Sequence, residues 1–123
     1  MKNMLKRLSL VIGLVITGAQ TMYGVTEVIR FHNNSGFDIR VRLGALRDNV
    51  PPQGYKDFTV YFSYTFCARV GIKGVQVAYE LKPGGGRLEG TKKIYDVNIS
   101  IVEGNIHVNA GGATLVPTTK SFC

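Results

Sequence analysis

The chain has 123 residues, 15 Lys+Arg against 8 Asp+Glu for a formal net charge of +7, 45% hydrophobic residues and two cysteines. That length suits one domain, and the hydrophobic share excludes a chain too polar to fold. The basic excess is not a nucleic-acid signature, because beyond Lys2, Lys6 and Arg7 the Lys and Arg residues are spread from Arg30 to Lys120 with acids interleaved rather than clustered on one element.

Residues 1–19 read as an export signal. Lys2, Lys6 and Arg7 precede an apolar run over residues 10–16, interrupted only by Gly13, and the small residues Thr17, Gly18 and Ala19 follow. Cleavage is expected after Ala19, with Gly24 as the fallback, leaving residues 20–123 as one exported domain. The apolar stretch falls short of the roughly 20 residues that a spanning helix needs, so no stable membrane anchor is expected once the signal is removed. The remaining domain carries a net charge of +4, and its expected address is the periplasm or the extracellular space.

Beyond the signal, apolar residues recur with period two, and β-branched and aromatic types dominate them, which predicts strands. Residues 25–31 give the first strand. His32, Asn33, Asn34, Ser35 and Gly36 supply turn chemistry, and residues 37–43 give a second strand with Phe37, Ile39, Val41 and Leu43 on the core face. Together they predict an opening hairpin. This run, from Ile29 to Ile39, loosely resembles the opening hairpin of several secreted β-sandwich groups, thaumatin-like proteins among them; the many cysteines of that family are absent, and the likeness assigns no residue a role.

Residues 44–54, with Arg47, Asp48, Pro51 and Pro52, read as a long loop stiffened by proline. The aromatic stretch over residues 55–70 follows, placing Phe58, Val60, Phe62, Tyr64 and Phe66 inward and Thr59, Tyr61, Ser63, Thr65 and Cys67 outward. Residues 75–81 make another half-buried strand. The run Lys82, Pro83, Gly84, Gly85, Gly86 is expected to be a flexible hairpin connection; it lacks the helix and the Lys-Ser/Thr of a phosphate-binding loop. Residues 95–101 and 106–109 predict a hairpin around Gly104, and residues 113–116 a final edge strand stopped by Pro117.

These patterns predict an all-β fold, a small antiparallel β-sandwich of about seven or eight strands, with a closed β-barrel as the alternative. Cys67 and Cys123, an even count in a chain bound for an oxidising compartment, predict a disulfide; the alternatives are a free thiol at Cys123 or a bridge from it to another chain.

No catalytic or metal-binding spacing accompanies either histidine, with His32 expected in a turn and His107 on the polar side of a hairpin strand, so no cofactor, metal or catalytic residue is assigned. Asn33 and Asn98 each open a glycosylation sequon. The surface most suited to recognition is the outward row Asp38, Arg40 and Arg42 with Tyr61, joined by Arg47 and Asp48 of the 44–54 segment, since Arg and Tyr are enriched where surfaces bind. The expected function is that of a non-enzymatic binding or structural module for an envelope component, glycan or protein, without specific nucleic-acid binding. The alternatives are an inhibitor or effector docking through the 44–54 loop or an edge strand, and a small secreted hydrolase assembled from scattered residues.

Overall fold

Alternating side chains build two facing sheets in the computed structural model, which describes residues 26–61, 66–121 and 123. The expected signal over residues 1–19, its cleavage sites, and the orientations assigned to residues 62–65 lie outside the described residues. In chain order the strands are β1 (Thr26–Asn33), β2 (Ile39–Leu43), β3 (Leu46–Val50), β4 (Tyr55–Val60), β5 (Phe66–Ile72), β6 (Val75–Pro83), β7 (Arg87–Glu89), β8 (Lys92–Val102), β9 (Asn105–Gly111) and β10 (Ala113–Pro117). The first sheet runs β4-β1-β8-β7, with β9 also on β8, and the second runs β10-β6-β5-β2-β3. The sheets stay separate, so the fold is the β-sandwich and not the closed barrel. Among the described residues no helix is long and apolar enough to cross a membrane.

One apolar cluster joins the two inner faces: Ile29, Phe31, Phe58, Tyr95, Val97 and Ile99 from the first sheet meet Ile39, Val41, Leu43, Ala68, Val70 and Leu81 from the second. Phe31 and Phe58 contact edge to face, with ring centroids 5.4 Å apart. The expected inward parity holds at Phe58, Val60 and Phe66, which all join this cluster. Phe37 does not; it precedes β2, is 42% exposed and lies under the Lys73 ammonium, 4.6 Å from its ring centroid.

The expected opening hairpin is absent. β1 is a central strand, antiparallel to β4 and parallel to β8, so neither of its edges is free for β2. The chain instead turns from the first sheet into the second at Asn33, whose buried side chain organises the corner. Its Nδ2 donates to the carbonyls of Phe37 (2.6 Å), Val50 (3.0 Å) and Pro51 (3.1 Å), and its Oδ1 accepts from Ser35 N (2.9 Å) and Ser35 Oγ (2.7 Å). Parallel pairing of β1 with β8 is possible because the chain crosses to the other sheet and back between them.

Ten strands form where seven or eight were expected, because two are short and polar and the 55–70 run divides. The 44–54 segment is not a long loop. Gly44 and Ala45 close a tight β2–β3 hairpin, and residues 51–54 then turn the chain back into the first sheet. β3 lies at a sheet edge with four of its five residues exposed, so it carries no apolar alternation to betray it. Positive φ at Lys73 and Gly74, and at Glu103 and Gly104, supports the two-residue turns of the β5–β6 and β8–β9 hairpins.

The glycine-rich run also departs from expectation, since it links β6 in one sheet to β7 in the other rather than closing a hairpin. The amides of Gly84 and Gly86 both donate to the Gly112 carbonyl (3.1 and 3.2 Å), and a Cβ on Gly112 would stand 2.5 Å from the Gly86 nitrogen. Glycine is needed there for backbone contact, and those two amides are spent within the chain.

Cys67 and Cys123 form the expected disulfide, with Cα atoms 5.1 Å apart. Cys67 points away from the core, so the bond draws residues 118–121 and Cys123 across the outer face of the second sheet. Thr118 N donates to the Ala78 carbonyl (3.0 Å), Lys120 pairs with Glu80, and Arg69 Nε donates to the Cys123 main-chain oxygen.

Candidate functional site

Burial of Ile39, Val41 and Leu43 forces Arg40 and Arg42 onto the outer face of the second sheet. The register then sets their neighbours. Arg42 stands opposite Arg47 on β3 and opposite Arg69 on β5, while Arg40 stands opposite Asn49 and Gly71, with Gln76 of β6 beyond. Three arginines thus share one cross-strand row. Arg69 is held by the Cys123 main-chain oxygen and by Gln76 Oε1 (2.9 Å). Arg40, Arg42 and Arg47 have no ion pair or side-chain hydrogen bond among the described residues.

The other two expected members lie elsewhere. Asp48 stands opposite Val41, on the inner side of the sheet, and at the open edge its carboxylate reaches Lys56 of β4 (3.6 Å) and accepts from the Asn49 amide (2.8 Å). Tyr61 follows β4 of the first sheet and is 94% exposed. Arg69 joins the row unanticipated, although its position between buried Ala68 and Val70 marks it as outward in the sequence.

On the outer face of the first sheet the charges pair with one another. Arg30 makes a two-pronged contact with Asp57, Nε to Oδ1 at 2.7 Å and Nη2 to Oδ2 at 3.0 Å, and its guanidinium lies 4.6 Å from the Tyr55 ring centroid. Asp96 accepts from His32 Nε2 (2.7 Å) and pairs with Arg87. His32 is therefore in a strand, between Tyr55 and Asn98, and not in a turn. Burial, Arg30 and Arg87 lower its pKa from the usual value, and the Asp96 carboxylate, which can only accept, takes its Nε2 proton in a hydrogen bond. No hydroxyl or thiol of a described residue bonds to this imidazole. His107 lies on β9 opposite Ser100, exposed. The pairing of residues as distant as Arg30 with Asp57 and His32 with Asp96 has no local sequence signal; it follows from β4 and β8 flanking β1.

The hydrogen bonds from Arg30 hold the Asp57 carboxyl below the usual carboxylate range, outweighing its burial. A depressed folded-state pKa contributes stability above the unfolded value near 3.8 that is lost as pH falls through the folded one. Asp57→Asn is therefore expected to flatten the loss of stability on acidification below about pH 4, read from urea unfolding at stepped pH; an unchanged slope would show that other carboxylates carry it.

Of the two sequons, Asn33 is buried with its amide nitrogen committed to three carbonyls, while Asn98 is exposed on the outer face of the first sheet. Comparison with protein-family models, curated proteins and solved structures finds no match to this chain.

Proposed function

We propose that this chain is an exported, non-enzymatic binding module that holds an anionic envelope or extracellular component on the arginine face of its second sheet. The export reading rests on the charged, apolar and small-residue order of residues 1–19 and on a disulfide, which persists in oxidising compartments.

The observation that carries the binding reading is the contrast between the two outer faces. In the first sheet Arg30 and Arg87 each have a carboxylate partner, whereas in the second Arg47 and Arg42 stand in register with no carboxylate partner among the described residues, and Arg69, next in the row, is held by the Cys123 main-chain oxygen and Gln76. Like charges directly opposite on a sheet are destabilising, so folding does not account for the row. An anion laid across it relieves the repulsion, and guanidinium groups bind carboxylate or phosphate oxygens in pairs.

The test is retention of the oxidised domain by envelope and culture-medium fractions. Arg42→Glu with Arg47→Glu is expected to reduce retention at least tenfold with an unchanged unfolding midpoint, and the wild-type interaction is expected to weaken with salt. Lys56→Glu with Lys92→Glu, which makes the same change of net charge on the first sheet, should retain binding. Equal losses in the two double variants would reduce the interaction to net charge alone and remove the assigned face.

A further inference from the structure

Beside the arginine row, the same face holds a groove of about 400 Å³ lined by Asp38, Arg40, Asn49, Gly71, Lys73 and Gln76 together with Gly74 and Val75. That volume falls among small-molecule sites. Gly71 forms its floor, inside β5 and in register with Arg40 on one side and Gln76 on the other.

Nothing in the backbone requires glycine at this position. Gly71 does not have positive φ, and a Cβ built on it would meet no atom nearer than the Val75 carbonyl at 3.7 Å. Glycine inside a strand weakens it, through chain entropy and the lack of a side chain to pack. What the missing side chain does here is keep the groove open.

The lining chemistry narrows what can fill it. Gln76 Oε1 is taken by Arg69, while its Nε2 lies within 3.8 Å of the position a Gly71 Cβ would occupy. The amide therefore presents N–H donors to the groove. Arg40 and Lys73 add cationic donors, Asn49 offers both donor and acceptor, and Asp38 contributes an acceptor. Mixed donors and acceptors around one unpaired guanidinium suit a ligand with several hydroxyls and one carboxylate. A bare phosphate ion would leave most of the groove empty and meet Asp38. Among the described residues no aromatic ring lines the groove to stack a nucleic-acid base.

We propose that the groove over Gly71 is a subsite for one carboxylate-bearing sugar of an acidic polysaccharide, whose neighbouring acidic units run along Arg42 and Arg47. This rests on the arginine-face reading and names its ligand class.

The experiment measures binding of wild type, Gly71→Val, Gly71→Ala and Arg42→Glu/Arg47→Glu to acidic oligosaccharides built on galacturonate, mannuronate or glucuronate. Polyphosphate serves as a sugar-free polyanion, and thermal unfolding checks each fold. At least one acidic oligosaccharide should bind the wild type. Gly71→Val should weaken that binding at least tenfold while leaving polyphosphate binding unchanged, because it fills the groove without altering charge. Gly71→Ala, which has room for its methyl, should weaken it by a smaller factor and keeps the test valid if the valine variant is unstable. The arginine variant should weaken binding of both probe types.

The subsite is overturned if none of the three oligosaccharides binds, if neither Gly71 variant affects their binding, or if folded Gly71 variants lose polyphosphate equally. The arginine-face reading is overturned separately if Arg42→Glu/Arg47→Glu leaves both probe types bound.

Discussion

Replacing Cys67 and Cys123 together with serine is expected to lower the stability of the domain by about 4 kcal/mol. The bond joins residues separated by 56 positions, and a loop of that length carries a large closure entropy in the unfolded chain. Against a typical total of about 5–15 kcal/mol this is a large share. It should appear as a fall in thermal midpoint on the order of 20 °C, scaled from the usual dependence for domains of this size. The folded state loses as well, because the bond holds Thr118, Lys120 and Cys123 against β5 and β6, where they contact Ala78, Glu80 and Arg69. Urea unfolding of the double-serine variant should match that of wild type in excess dithiol. A midpoint that does not move under reduction would mean that the sheets hold the terminal segment without the bond.

Asn33→Ala is expected to cost about 3–5 kcal/mol, which is exceptional for a single polar substitution. Truncation removes every hydrogen bond by which this side chain ties β1 to the carbonyls of Phe37, Val50 and Pro51 and to Ser35. The Val50 bond is buried, and a carbonyl left unpaired in such a place costs about 1–3 kcal/mol. Asn33→Asp should be no better, since it replaces an N–H donor with an oxygen facing three carbonyl oxygens. The neighbouring Asn34→Ala is the internal control, because that side chain is exposed and makes one long contact, 3.5 Å to Asn98. Its expected effect lies within about 0.5 kcal/mol. Equal unfolding midpoints for the two alanine variants would refute the assignment of Asn33 as the clasp of the sheet-switching corner.

These two residues also show where sequence patterning succeeds and where it fails. Residues 39–43 and 95–101 alternate cleanly because one side of each strand meets the core, so face and strand are both legible. β3 escaped because an edge strand exposed on nearly every side has no apolar period, and β7 because it has three residues, all exposed. The turn residues of 32–36 predict a hairpin that does not form, because turn residues between two strands look alike whether the chain doubles back within a sheet or crosses to another. The site was legible in the same partial way. Parity placed Arg40 and Arg42 outward, but the companionship of Arg69, and the separation of Tyr61 and Asp48, depend on strand order and register.

What this sequence determined by itself is the class of chain and the side of each long strand that would be buried, because side-chain alternation and cysteine count act locally or by simple composition. Sheet membership was decided only in three dimensions. Asn33 turns β1 away from β2, β8 takes the edge of β1, and β5 brings Arg69 beside Arg42 with Gly71 as the floor of a groove. The physical reason is that every strand offers the same backbone donors and acceptors on both edges. Which partner it takes is set by the packing of the whole core and by buried polar clasps, and the binding face takes shape from that choice.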